Sequence, residues 1–183
     1  MYKRKNGGCR MKLLYSNILP LGTEEDQETI MDCFNEQMKM ADRVEIAVGY
    51  TSNASLAELD RLVNECNISK VCLNIGMYFI EGMPEGAYHT AIKINEKWQE
   101  AGIGEIRVVK AFKYHGKLFC FYKDGNPFSA IIGSANLGVI KLEASNRRQY
   151  EISAITTDEQ EVAEIAEHIE KLKMPNCSEN IAL

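Results

Sequence analysis

With 183 residues and 45% apolar content, the chain fits one domain with a full hydrophobic core. Its formal net charge of −5 argues against extensive independent binding to nucleic acid, but it leaves room for a small basic groove. No apolar run approaches the length of about eighteen residues that a membrane-spanning helix needs. The six cysteines (Cys9, Cys33, Cys66, Cys72, Cys120, Cys177) contain no Cys-x-x-Cys pair and read as buried free thiols of a cytoplasmic protein.

Residues 1–10 are basic, and no apolar segment of signal-peptide type follows them, so they read as a loose leader. Lys12 to Ile18 is a short run that forms a first strand or an arm. Thr23-Glu24-Glu25-Asp26 has the form of a helix start, a hydroxyl followed by carboxylates, and Ile30, Phe34, Met38 and Ala41 continue at helical spacing. Val44 to Val48 is a short apolar strand. A second helix starts near Ser52 to Ser55, with Ser55 and Glu58 spaced as a capping box, and turns Leu56, Leu59, Val63 and Cys66 inward. Val71 to Ile75 reads as a buried strand.

Gly82 to Gly86 is expected to be a loop and His89 to Gln99 a helix, with His89 in a structural or solvent-exposed role. Ile106 to Ala111 is another strand. Two apolar runs, from Lys117 and from Phe128, flank Asp124-Gly125-Asn126-Pro127 and predict a hairpin. Its first strand is apolar on both faces, Leu118 and Cys120 against Phe119 and Phe121, as in a central strand. Tyr150 to Ile155 is the next strand, and Thr157 to Gln160 caps a last helix with Val162, Ile165, Ala166, Ile169 and Leu172 inward. Pro175 and the polar end close the fold. Alternating strands and helices followed by a hairpin imply an α/β fold with a mixed sheet covered by helices on both faces.

The chemistry lies around the hairpin. In an extended chain His115 and Lys117 project to one face, and the hairpin returns Gly133-Ser134-Ala135-Asn136 beside them. An imidazole, a cation and two neutral hydrogen-bonding side chains then converge, as a phosphate site requires. Taken singly, a histidine near a strand or a Gly-Ser-x-Asn turn is usually structural. Together and in this order they resemble the phospholipase D superfamily signature, His-x-Lys followed by Gly-Ser-x-Asn. Here Gly133 follows Lys117 by sixteen residues, and Glu151 stands where that signature carries a further acid. One position departs from it: Tyr122 occupies the place of an Asp that supports the site structurally. The layout from Lys12 onward most resembles the catalytic part of NgoFVII-like restriction endonucleases.

The resemblance implies a phospholipase D/nuclease-like fold and a metal-independent DNA phosphodiesterase that needs no cofactor. His115 would be the nucleophile and, from a second copy, the general acid. Lys117 would neutralise phosphate charge, Ser134 and Asn136 would donate or orient hydrogen bonds at the same phosphate, and Glu151 would fix the tautomer of His115. One motif per chain implies a homodimer with the active site at its two-fold interface. Sequence recognition would come from a separate domain or subunit. Lys113, Arg147 and Arg148 flank the site and could bind neighbouring phosphates. Most carboxylates fall on predicted helix faces, away from strand ends where a metal cluster would form. A phospholipase or phosphatidyltransferase, and a non-catalytic DNA-associated module, are the alternatives.

Overall fold

The computed structural model describes residues 11–141 and 149–183, apart from the side chains of Ile80 and Glu81. Nine strands form one sheet. They are β1 (Lys12–Tyr15), β2 (Glu28–Thr29), β3 (Arg43–Val48), β4 (Lys70–Ile75), β5 (Gly104–Val109), β6 (Leu118–Lys123), β7 (Asn126–Gly133), β8 (Ile152–Thr156) and β9 (Ser178–Asn180). The order is β2-β1-β8-β7-β6-β3-β4-β5-β9. Strands β3, β4 and β5 run parallel, and β6, β7 and β8 join antiparallel. The sheet is therefore mixed, with β6 at its centre.

Helices α1 (Ile30–Met40), α2 (Asn53–Glu65), α3 (Tyr78–Glu81), α4 (Glu85–Glu100) and α5 (Glu159–Leu172) complete the fold, with a 3-10 turn at Leu137–Ile140. The two faces of β6 belong to two cores. Phe119 and Phe121 join Phe34, Leu59 and Trp98 under α1, α2 and α4. Phe34 meets both phenylalanine rings edge-on, with centroids 5.6 and 5.5 Å apart. Leu118 and Cys120 join Ala47 and Ala130 under Val162, Ile169 and Leu172 of α5. A strand apolar on both faces is thus the strand buried on both faces. The hairpin turns at Asp124 and Gly125, whose φ values of 51° and 81° fit the primed turn that a two-residue connection favours.

Several expected boundaries move. Helix α1 starts at Ile30, where its apolar stripe starts, and its cap is Thr29, whose hydroxyl accepts from Asp32 N at 3.0 Å. Thr23 to Asp26 stay outside it because they offer no apolar face to bury. In α2 the cap is Ser52, and Ser55 is its third residue. Each hydroxyl accepts from the other's backbone N–H, at 3.1 and 2.9 Å. Helix α4 starts at Glu85 behind Pro84, four residues before His89, which is exposed as expected. The polar end does not close the fold at Pro175. Ser178–Asn180 adds to β5 as an antiparallel edge strand, and Ile181 is buried behind it. Of the cysteines, Cys33, Cys72 and Cys120 are buried, Cys66 and Cys177 are half-buried, all five are free thiols, and Cys9 lies outside the described residues.

Candidate active site

The parallel strands β3 and β4 run into Gly49 and Gly76, and His115, Lys117 and Asn136 lie at this end of the sheet. His115 and Lys117 lie on the extended segment entering β6. Lys117 Nζ sits 2.9 Å from His115 Nδ1 and 2.6 Å from the His115 carbonyl oxygen. An ammonium can only donate, so Nδ1 accepts. Lys117 is buried while His115 is exposed. Burial pushes the Lys117 ammonium below its ordinary pKa, and the Glu151 carboxylate partly offsets that shift.

Asn136, at the end of the β7 loop, turns its Oδ1 back to the β3–α2 loop and accepts from Gly49 N at 3.1 Å and Tyr50 N at 3.0 Å. The two backbone donors fix the amide's orientation, with Oδ1 turned to the β3–α2 loop. Gly49 is where the pieces meet. A Cβ there would lie 3.0 Å from His115 Cδ2 and 3.4 Å from Asn136 Oδ1. Imidazole and amide both close on the space that a side chain at this glycine would occupy.

Ser134, expected to donate or orient hydrogen bonds at the phosphate, is engaged within the chain by Glu151 and Ile152. Its hydroxyl donates to the Glu151 carboxylate and accepts from Ile152 N at 3.1 Å. Glu151 is tied to β1 as well, its N–H donating to Ser16 Oγ at 3.0 Å. Within one chain, Glu151 is thus engaged by Ser134 and the Nδ1 of His115 by Lys117. Lys113 is exposed two residues before His115. Arg147 and Arg148 lie outside the described residues. No group of three or more His, Cys, Asp or Glu side chains among the described residues is arranged to hold a metal ion. No helix among them is long and apolar enough to cross a membrane.

Sequence reasoning missed the aromatic buttress. The Tyr50 ring meets the His115 ring edge-on, with centroids 6.0 Å apart, and Tyr78 meets Tyr50 in turn at 5.5 Å. The Tyr78 hydroxyl donates to Thr51 O at 2.6 Å and accepts from Thr51 N at 3.1 Å. These residues come from other elements, and only Gly49-Tyr50 after an apolar strand hinted at a loop that must approach something closely. Tyr122, in the place of the signature's Asp, is buried with the Arg43 guanidinium 4.4 Å over its ring. Its backbone oxygen accepts from Asp42 N at 3.0 Å. A ring and a cation thus occupy this position, paired with the start of β3 at the end of β6 away from Lys117. Asp124 does not replace the missing acid, since it stands in the hairpin turn.

The family of the NgoFVII restriction endonuclease N-terminal PLD (phospholipase D) domain matches residues 28–182. The chain belongs to this family. Membership places it among nuclease-type phosphodiesterases of the phospholipase D kind. Solved structures agree on the fold. NucT from Helicobacter pylori superposes with a TM-score of 0.61 at 16% identity, over 93% of this chain and 98% of that one. Nuc from Salmonella typhimurium, a phospholipase D family member, gives 0.60 at 13% identity over 94% and 98%. A phosphatidylserine synthase from Haemophilus influenzae gives 0.55 at 12%, over 93% of this chain and 39% of that one. No curated protein aligns with the sequence.

Proposed function

We propose that this chain cleaves DNA phosphodiesters through a covalent phosphohistidine, without a metal ion, as a homodimer. What carries the reading is the Lys117–His115 pair and Asn136 gathered around Gly49, an imidazole with a buried cation and an oriented amide at one strand end. In this reading a ring nitrogen of His115 attacks phosphorus, and the bond to the leaving DNA oxygen breaks as the His115 of a second copy protonates it. Water then attacks the phosphohistidine and yields its proton to that same second imidazole.

The ammonium of Lys117 and the NH2 of Asn136 stabilise the non-bridging oxygens as charge spreads in the transition state. Phosphate competes with His115 for the same ammonium. As Lys117 turns its donors to phosphate, Nδ1 is freed, and the imidazole can take the Nδ1–H tautomer, its proton passing from Nε2. Nδ1–H then donates to a carboxylate, the role Glu151 fills in this reading, and Nε2 is left free to attack. Ser134 holds that carboxylate in place. Lys113, Arg147 and Arg148 are assigned to neighbouring phosphates.

The dimer follows from arithmetic of function, since one chain supplies one motif histidine. Exposed apolar side chains beside the site support it, because Ile132 directly precedes Gly133-Ser134 and Ile152 directly follows Glu151. Leu13, exposed on the neighbouring strand, is paired with Ala154, which is paired with Ile132. Such a row suits a second copy. A separate domain or subunit would read the DNA sequence. The test is incubation of wild-type and His115→Ala protein with plasmid DNA in excess EDTA. Nicking by wild-type alone is expected, and activity that EDTA abolishes and magnesium restores would overturn the mechanism.

A further inference from the structure

His115 is exposed, and the torsion that sets the plane of its ring has a broad minimum, so neither burial nor backbone fixes where the attacking nitrogen points. Lys117 Nζ restrains the ring at Nδ1 from 2.9 Å. That restraint is given up when the ammonium turns to phosphate, which is the moment the imidazole must be aimed at phosphorus. A hold that outlasts the ammonium has to come from another group, and Tyr50 is placed to supply it. Its ring meets the imidazole edge-on at 77°, with centroids 6.0 Å apart, inside the range of about 4.5–7 Å over which ring pairs attract. Such a contact acts on the ring as a whole and needs no particular nitrogen to be free.

The loop that carries Tyr50 is tied down at three consecutive residues. Gly49 O accepts from Met77 N at 3.1 Å, and Tyr50 N donates to Asn136 Oδ1 at 3.0 Å. Thr51 is buried, and the Tyr78 hydroxyl donates to its carbonyl oxygen at 2.6 Å while accepting from its N–H at 3.1 Å. The Tyr78 ring also meets the Tyr50 ring at 72°, with centroids 5.5 Å apart. Tyr78 therefore fixes both the backbone behind Tyr50 and the face of the ring that backs onto it.

We infer that Tyr50 is a positioning residue, which with Tyr78 behind it keeps the His115 ring aimed at phosphorus after Lys117 has left Nδ1. The inference rests on the phosphodiesterase reading for its effect on rate. The ring of Tyr50, rather than its hydroxyl, has this role, because the ring is what meets the imidazole. A residue that only filled space would cost stability when removed and would leave the motion of the imidazole unchanged.

Lys117→Met takes the ammonium off Nδ1 and so reproduces the state in which the ring depends on Tyr50. NMR relaxation of the His115 Cε1–H bond, in the whole chain labelled at histidine, reads the ring's freedom without turnover. The ring should stay ordered in Lys117→Met, become mobile when Tyr50→Leu is added, and stay ordered when Tyr50→Phe is added instead. With Lys117 intact, Tyr50→Leu should lower kcat on bis(p-nitrophenyl) phosphate by at least about tenfold with KM nearly unchanged, since about 1 Å of misplacement costs up to about a hundredfold. Tyr50→Phe should keep the rate within about twofold of wild-type. Tyr78→Phe, which keeps both rings and removes two hydrogen bonds, should fall between. A ring already mobile in Lys117→Met alone, or still ordered in the double variant, would overturn the assignment, as would Tyr50→Phe as slow as Tyr50→Leu. Should the Tyr50→Leu chain fail to fold, Tyr78→Phe in the Lys117→Met background carries the same comparison, with a mobile ring expected and an ordered one contrary. Failure of wild-type protein to hydrolyse bis(p-nitrophenyl) phosphate would count against the phosphodiesterase reading instead, and the relaxation comparison would still decide the role of Tyr50.

Discussion

The ammonium of Lys117 lies 2.9 Å from His115 Nδ1, and it is the buried member of the pair. Burial is expensive for a charge, and it pushes the Lys117 pKa down from 10.5. The unfolded chain therefore holds this proton more tightly than the folded one. Stability contributed by Lys117 is lowest below its folded pKa and rises as pH climbs toward 10.5. At neutral pH the charge works against folding. Lys117→Met should leave Tm unchanged or raise it by about 2–4 °C, the effect of roughly 1 kcal/mol in a chain of this size. The same change should lower cleavage by at least about a hundredfold. Thermal melts beside a cleavage assay check both, and a large fall in Tm would show the lysine to be structural.

The same proton should set the alkaline limit of activity. As pH rises through the lowered pKa, Lys117 loses the charge that faces phosphate, so kcat/KM should fall on a limb below pH 10.5. Glu151 is the group that pulls that pKa back up. Glu151→Gln should move the limb to lower pH, beyond any loss of rate from the altered carboxylate. Titrating kcat/KM of both proteins tests this, and an unmoved limb would sever the link between Glu151 and Lys117.

Asn136 separates folding from function in another way. Its Oδ1 serves two backbone N–H groups, and in the proposed mechanism its NH2 serves the substrate. Asn136→Asp keeps an acceptor for Gly49 and Tyr50 but replaces the donor with a negative oxygen. It should fold normally and lose at least about a hundredfold in rate. Asn136→Ala strands both N–H groups and should cost about 1–3 kcal/mol of stability as well. Denaturant curves for the two variants would tell them apart. Equal stability would mean that water satisfies those donors.

What could be read from sequence follows from how each feature is encoded. His115 and Lys117 directly precede the β6–β7 hairpin, and Ser134 and Asn136 directly follow it, so the turn at Asp124-Gly125 is enough to bring the two segments to one end of the sheet. The central place of β6 was legible because both of its faces are apolar. Gly49, Tyr50 and Tyr78 reach His115 by tertiary packing across more than thirty residues, and no local pattern marks that. Strands β2 and β9 are two and three residues of polar sequence held by pairing with β1 and β5. Their hydrogen bonds belong to the backbone, so the side chains announce nothing. The start of α1 was misplaced because Thr23 and Thr29 carry the same capping chemistry, and only burial of Ile30 decides between them.

The dimer can be tested through Ile132 and Ile152, which flank the motif loop and Glu151 and stand 40% and 50% exposed. An interface able to hold two chains should bury at least about 1,000 Å² in total, and two large apolar side chains at its centre would contribute much of the binding energy. Ile132→Lys combined with Ile152→Lys places four cations against one another across a two-fold axis and costs little in a monomer, where both positions already face water. The double variant should therefore keep its melting temperature, sediment as a monomer and lose cleavage. Subunit mixing supplies the complementary measurement. Wild-type chains exchanged with a threefold excess of His115→Ala chains should lose activity in proportion to the wild-type homodimers removed, because a mixed dimer has one imidazole for two tasks. A double-lysine monomer that still cuts DNA, or mixed dimers with half the wild-type rate, would place both the nucleophile and the acid within a single chain.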